Sequence, residues 1–95
     1  MIHVLQNAHW RVGVLPQTAA SLAFAQIKRN GAWHDFMRPV AADKMDDALA
    51  CASYLLVPWS NRIRDARFTF AGQSYQLRPS YPDGTAIHGA ARHYP

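Results

Sequence analysis

The residues best suited to chemistry stand in the segment Pro58-Trp59-Ser60-Asn61-Arg62-Ile63. The carboxamide of Asn61 both donates and accepts hydrogen bonds, and the planar guanidinium of Arg62 presents a fork of donors. Adjacent side chains of these types suit the binding of vicinal hydroxyl groups, and Trp59 would add a flat apolar face. The alternative without a ligand is a solvated surface loop in which an arginine forms an ion pair with Asp65. The pattern therefore indicates either a polyol-binding loop or ordinary surface.

A second candidate is the histidine of Ala86-Ile87-His88-Gly89, which follows a predicted turn at Pro82-Asp83-Gly84. A glycine after the histidine lets backbone and ligand approach closely, because glycine has no Cβ. The imidazole titrates near neutrality, which suits hydrogen bonding or proton transfer. Taken alone, His88 is better explained as a structural or surface histidine.

Neither a metal site nor a nucleophilic centre is favoured. His88 and His93 are five residues apart, and no paired spacing of the kind that zinc sites use occurs with Cys51 or the aspartates. Cys51 lies in an alanine-rich run, where cysteine is usually an inert small hydrophobe. Ser60 lacks the flanking glycines of a nucleophile elbow. We therefore expect neither a metal site nor a nucleophilic centre.

The elements that must position these residues are predicted to be β-strands. Trp10, Val12 and Val14 alternate with Arg11 and Gly13, which predicts a strand with one buried face that ends before a proline. Residues 22–28 predict a second strand, and residues 32–37 a return strand after a two-residue turn of the Asn-Gly type.

The second half of the chain is less regular. Residues 39–52 favour a short helical turn or an irregular loop, and the apolar run 53–57 predicts a buried strand closed by Pro58. Alternation around Phe68 and Phe70, a turn at Gly72 and a return past Tyr75 predict a second hairpin over residues 67–77. The fold class is therefore all-β, built of antiparallel hairpins.

Composition bounds the remaining choices. The 95 residues allow one domain at most, with 49% apolar residues and a net charge of +4 in which every acid is aspartate. The basic residues form no run, so nucleic-acid binding is not expected. The longest uncharged apolar-rich stretch, residues 48–59, is shorter than the ~20 residues of a membrane span, and the N-terminus is not typical of a signal peptide. One cysteine suits a reducing compartment, so we expect a cytoplasmic protein.

Three motifs in order resemble those of the aldose 1-epimerases, or galactose mutarotases. That family has a Pro-Trp-Ser-Asn-Arg-Ile or related segment, then a Phe-x-Phe-x-Gly-x-x-Tyr-x-Leu hairpin, then a Leu/Ile-His-Gly motif with Arg-x-x-Pro-Trp nearby. The family's glycine-rich turn between its first two strands corresponds here to residues 17–21. The matching residues are Pro58 to Ile63, Phe68 to Leu77, Ile87-His88-Gly89 and Arg92-His93-Tyr94-Pro95, where the family tryptophan would follow.

The resemblance implies a galactose-mutarotase-like β-supersandwich, of which residues 1–95 would be the N-terminal third and a single partial domain. It also implies interconversion of the α and β anomers of a free aldose, such as galactose or glucose, by acid–base ring opening and closure without a cofactor. Asn61 and Arg62 match the family's sugar-binding pair. His88 matches the family histidine that binds the sugar near its reacting ring oxygen, which implies both a substrate-binding and a catalytic role.

The family's general acid, a second histidine, and its general base, a glutamate, lie further along the family's chain and match no position here. We therefore expect the 95 residues alone to be inactive. Each hairpin of a two-layer sandwich needs an opposing sheet to cover its apolar face, so we also expect the isolated chain to be marginally stable or to self-associate. Two alternatives stay open within sugar chemistry: a non-catalytic carbohydrate-binding β module, and a sugar-phosphate mutarotase in which Arg64 and Arg67 reach a phosphate. A small basic β domain that binds nucleic acid or a protein is the alternative from outside it.

Overall fold

The computed structural model describes residues 1–93, apart from the side chain of His93. The predicted all-β class is confirmed: every helical segment of the described residues is a three-residue 3-10 turn, and all paired strands are antiparallel. The described strands are β1 (His3–Gln6), β2 (Trp10–Leu15), β3 (Ser21–Arg29), β4 (Ala32–Met37), β5 (Arg62–Ile63), β6 (Arg67–Phe70), β7 (Gln73–Gln76) and β8 (Ala86–Ile87).

The chain divides into two compact units, which we call the sheet unit (Met1–Leu55 with the segment from Arg92) and the hairpin unit (Leu56–Ala91). The sheet unit contains β1 to β4 in consecutive order. The turn between β3 and β4 is the predicted Asn30-Gly31 pair, with φ of 50° and 77°. The three strands predicted from residues 10–37 are confirmed, whereas β1 is a fully exposed edge strand without an apolar pattern, so the sequence did not reveal it.

The buried face of β2 differs from the prediction. Trp10 is 46% exposed, and the buried residues of the strand are Gly13 and Leu15. The ring of Phe24 occupies the space where a Cβ of Gly13 would lie, and this covers the middle of the strand. Leu15 packs in a small core with Ala23 of β3 and with Val40 and Cys51 of the loop that follows β4. The core therefore lies at one end of β2, where the loop after β4 covers the sheet.

The turn after β2 and the loop after β4 are irregular, so alternation of residues predicts their structure less well than that of the strands. Ala19 and Ala20 occupy the left-handed region (φ 52° and 54°), in the turn where the resembling family has glycine. Residues 39–52 contain two short 3-10 turns, which agrees with the predicted helical turn or loop, and the Oδ1 atom of Asp47 accepts a hydrogen bond from the Leu49 amide (2.9 Å) at the second.

The predicted buried strand over residues 53–57 is wrong. Ser53 and Val57 make isolated bridges to Leu22 and Gly89, and the residues between them are not paired as a strand. Leu55 and Val57 are each 50% exposed. An apolar run forms a strand only where a partner strand pairs with it along its length. Here the chain passes from one unit to the other, between Leu55 and Leu56.

The hairpin unit contains two short sheets. β6 and β7 form the predicted second hairpin, in which the Phe68 and Tyr75 rings stack at 5.1 Å. The second sheet pairs β5 with β8, so residues from the two sequence motifs become neighbours. Of the helices in residues 1–93, none has the length and apolar character that crossing a membrane requires.

Candidate functional site

The pairing of β5 with β8 builds the candidate site. Arg62 lies opposite Ile87, and Ile63 lies opposite Ala86. The ladder continues by one residue, because the His88 amide donates to the Asn61 carbonyl at 2.9 Å. The two motifs singled out from sequence are thus joined over a separation of 27 residues. All three predicted site residues, Asn61, Arg62 and His88, come together at one end of this two-stranded sheet.

Asn61 and His88 are linked in both directions. The Asn61 amide donates to Nδ1 of His88 at 3.0 Å, in return for the bond from the His88 amide. Both residues have positive φ, 64° and 60°. A ring nitrogen that accepts a hydrogen bond does not donate one, so donation by the His88 ring falls to Nε2.

The Asn61 side chain turns onto its neighbour. Its Oδ1 atom accepts a bond from the Arg62 amide at 2.9 Å, and the Nη1 atom of Arg62 lies 3.5 Å from the same oxygen. The acceptor half of the carboxamide is thus engaged with Arg62. These contacts fix the Asn61 carboxamide relative to the guanidinium.

Arg62 forms an ion pair with Asp83, whereas the surface-loop alternative had placed an arginine against Asp65. The Nε atom of Arg62 lies 3.3 Å from Oδ2 of Asp83, and both side chains are about half-exposed. The guanidinium carbon also lies 5.0 Å from the centre of the Tyr81 ring, within the range of a cation–π contact. Two residues therefore hold the arginine: Asp83 of the predicted turn, and Tyr81 just before that turn.

Asp83 is itself fixed by Thr85. Its Oδ1 atom accepts bonds from the Thr85 hydroxyl at 2.6 Å and from the Thr85 amide at 3.0 Å. These two bonds, the hydroxyl first, lower the pKa of Asp83, and the charge of Arg62 adds to them. Sequence reasoning missed Tyr81, Asp83 and Thr85 as site residues. The available signal was the Asp-Gly-Thr spacing, in which an aspartate side chain accepts from the amide two residues on.

Two further residues of the motifs have structural roles. The indole Nε1 of Trp59 donates to the Ala86 carbonyl at 3.3 Å, which ties the segment before the Asn61-Arg62 pair to β8. Gly89 has φ of +65°, and a Cβ there would overlap the Val57 carbonyl and the Pro58 nitrogen. The glycine after His88 is therefore required because the backbone at Val57 and Pro58 approaches it closely, whereas the sequence had suggested an approach of backbone to ligand.

The alternative chemistries find no support at their named residues. Among the described residues, no three histidine, cysteine or acidic side chains cluster as metal ligands. The side chain of His93, one of the histidines considered, lies outside the description, as do Tyr94 and Pro95 of the last motif. Cys51 is buried in the core of the sheet unit, and burial raises the pKa of its thiol.

The site combines an imidazole, a guanidinium and a carboxamide on an all-β frame, which is a donor-rich set suited to hydroxyl groups. The family model described as Aldose 1-epimerase matches residues 19–95, well over half of the chain. The chain belongs to the aldose 1-epimerase family. Comparisons with curated proteins and with solved structures returned no match. Membership in this family indicates an aldose-epimerase-like function of the isomerase type, with a small sugar as the class of substrate.

Proposed function

We propose that this chain supplies the sugar-binding part of an aldose 1-epimerase, with Asn61, Arg62 and His88 in contact with the aldose. The observation that carries the proposal is the mutual hydrogen bonding of Asn61 and His88 across the β5–β8 pair. It joins the two polar motifs into one donor-rich surface. A free aldose is neutral and recognised through its hydroxyl groups, which is the ligand chemistry that such donors serve.

The reaction interconverts the α and β anomers. A base removes the proton of the anomeric hydroxyl while the bond from the anomeric carbon to the ring oxygen breaks and an acid protonates that oxygen. The aldehyde carbon rotates, and closure reverses the proton transfers. His88, as an Nε2 donor, would stabilise the negative charge that develops on the ring oxygen, while Arg62 would bind hydroxyl groups. The general acid and base belong to residues outside these 95, which contain no glutamate.

We further propose a hexose such as galactose or glucose as substrate, a single domain of which residues 1–95 are a part, and a cytoplasmic location. The buried Cys51 thiol supports that location, because it has no partner cysteine in the sequence. Arg67, which the sugar-phosphate alternative would use, donates from Nε to the Gln76 side chain across the hairpin at 3.1 Å. That contact ties Arg67 to β7, so a free hexose is the better proposal.

The test uses the complete enzyme, meaning the protein encoded by the whole reading frame that contains these residues. Polarimetry on freshly dissolved α-D-glucose and α-D-galactose measures anomer exchange. We expect Arg62→Ala to raise KM by about tenfold or more, since hydrogen bonds from a charged donor contribute about 1.5–3 kcal/mol. Arg67→Ala removes the same charge from the hairpin and should leave KM unchanged.

The 95 residues alone provide the second arm. They should give little or no anomer exchange, because a missing general acid or base costs about 10²–10⁴-fold in rate. Exchange by the isolated chain in proportion to its concentration would contradict the proposed division of residues. Binding of aldose by the complete enzyme without exchange would favour the non-catalytic carbohydrate-binding module. Exchange confined to glucose 6-phosphate would favour the sugar-phosphate mutarotase.

A further inference from the structure

The turn that precedes β8 holds Arg62 from two sides. Asp83 contacts the guanidinium through Oδ2, and the ring of Tyr81 lies against its carbon atom. On a third side, Nη1 faces the carboxamide of Asn61. A guanidinium has five N–H donors in a planar fork, so contacts at Nε and Nη1 set the direction of the remaining ones. An otherwise flexible arginine is thereby given one orientation beside His88.

The Asp83 carboxylate divides its two oxygens between two tasks. Oδ1 receives both bonds from Thr85, and Oδ2 faces Arg62. The carboxylate is therefore anchored within its own turn before it contacts the arginine. The lowered pKa of Asp83 agrees with this, since bonds from Thr85 favour the charged form.

The exposure of the pair indicates what it is for. Arg62 and Asp83 have side chains that are 47% and 44% exposed. Ion pairs in contact with water contribute little to folding, because solvent screens the attraction and both side chains lose freedom. A pair of this kind changes orientation more than it changes stability. Its effect should therefore appear in ligand binding.

We propose that Asp83 is a positioning residue of the sugar site, which holds the Arg62 guanidinium over Tyr81 in the orientation that binds the aldose. The inference rests on the proposed function and deepens it, since it adds a residue that acts through Arg62. Asp83 has no direct contact with sugar in this account. Its loss lets the arginine adopt other rotamers, which must then be given up when the sugar binds.

The first experiment is a double-mutant cycle in the complete enzyme, read out as KM and kcat for anomer exchange. Asp83→Asn keeps an Oδ1 acceptor for Thr85 but loses the charge that faces Arg62. We expect it to raise KM about fivefold with kcat within about twofold and the melting temperature unchanged. In the Arg62→Ala background, the same substitution should change KM by less than about 1.5-fold, because its effect passes through Arg62.

Asp65→Asn is the matched control. It removes the same charge three residues from Arg62, at a position whose φ of 54° asparagine adopts readily, and should leave KM unchanged. A rise in KM of equal size in both backgrounds would overturn the proposal, because Asp83 would then act without Arg62. So would a normal KM for Asp83→Asn in an enzyme whose KM responds to Arg62→Ala.

A second readout needs neither sugar nor activity. Exchange of the Arg62 Nε proton with water, followed by nitrogen-15 NMR and assigned with Arg62→Lys, should be slower in the wild type than in Asp83→Asn. If Arg62→Ala leaves KM unchanged, the assignment of the sugar site fails, and this measurement still decides whether Asp83 holds the guanidinium. Equal exchange rates in the two proteins would overturn the positioning role as well.

Discussion

Two arginines, one in each unit, rest on aromatic rings but are held in opposite ways. In the sheet unit, Arg11 lies 4.7 Å from the Trp33 ring and donates from both Nε and Nη2 to the Gln26 side chain, at 2.9 and 2.6 Å. That contact is partly buried, and Gln26 in turn donates to Asp35 at 2.8 Å. Arg62 instead faces a carboxylate and remains half-exposed. Because its contacts are partly buried, Arg11 is expected to stabilise the fold. Because Arg62 is half-exposed, a ligand can reach it.

The backbones of the two units also differ, since one is mostly regular sheet and the other depends on side-chain contacts. The sheet unit pairs four consecutive strands in one antiparallel sheet. In the hairpin unit, the site strands are two residues long, and side chains complete the bonding. Of the eight non-glycine residues with positive φ in the described chain, five lie in the hairpin unit: Asn61, Asp65, Ala66, Ala71 and His88. Such conformations persist only where surrounding contacts hold them, which is common at functional sites.

The largest effect should come from adding one methyl group where backbone meets backbone. Gly89→Ala combines a positive φ with overlap on the Val57 carbonyl, and we expect a loss of about 3 kcal/mol or more in the free energy of unfolding. Gly13→Ala in the sheet unit should cost about 1–2 kcal/mol, because the overlapping Phe24 ring is a side chain that can shift.

Gly84→Ala is the control for the conformation alone, since φ is +83° and no atom lies within 4 Å of the added Cβ. It should cost about 1 kcal/mol. Urea unfolding of the complete enzyme measures all three. If Gly89→Ala matched Gly84→Ala, the close approach of Val57 to Gly89 would be contradicted.

The second effect should separate transition-state chemistry from binding. His88→Asn in the complete enzyme should lower kcat by about a hundredfold while raising KM by less than about threefold, if His88 stabilises charge at the ring oxygen. Stopped-flow polarimetry gives both constants. His93→Asn is the control and should change either constant by less than about threefold. Equal damage from both substitutions would mean that Ile87-His88-Gly89 is aligned with the wrong family motif.

The third prediction tests the contrast between the arginines directly. Arg11→Met keeps a long side chain on the sheet but loses the bonds to Gln26 and the contact with Trp33. We expect it to lower the free energy of unfolding by about 1–2 kcal/mol and to leave KM for the aldose unchanged. Arg62→Ala should do the reverse, with a raised KM and stability nearly unchanged. A change in KM from Arg11→Met would erase the distinction between the units.

The smallest effect concerns pH. The folded-state pKa of Asp83 lies below its ordinary value of 3.8, so its contacts contribute above pH 3.8 and are lost as pH falls through the lowered value. The slowing of Arg62 Nε proton exchange by the ion pair should therefore persist from neutrality to below pH 3.8 and be lost only as the pH falls through the lowered pKa of Asp83. NMR titration of the sugar-free enzyme checks this. Asp83→Asn should show no such transition, and an identical one would assign it to another group.

The sheet unit was largely predictable because its information is local. Alternation in residues 10–14 and 22–28 and the Asn30-Gly31 turn are neighbours in sequence, and a hairpin needs little else. The failures there are informative. β1 has no apolar face, and the run before Pro58 lacks a partner strand along most of its length, so neither could be judged from its own residues.

At the site, sequence determined which residue types were available, and only tertiary structure decided how they are used. The sequence motifs singled out Asn61, Arg62 and His88 as candidates, because residue types and their order along the chain are visible in a linear sequence. The exchange of hydrogen bonds between Asn61 and His88 spans 27 residues, and the choice of Asp83 over Asp65 as the partner of Arg62 depends on how the turn before β8 returns. An ion pair forms between groups that are close in space, and distance along the chain does not give that closeness.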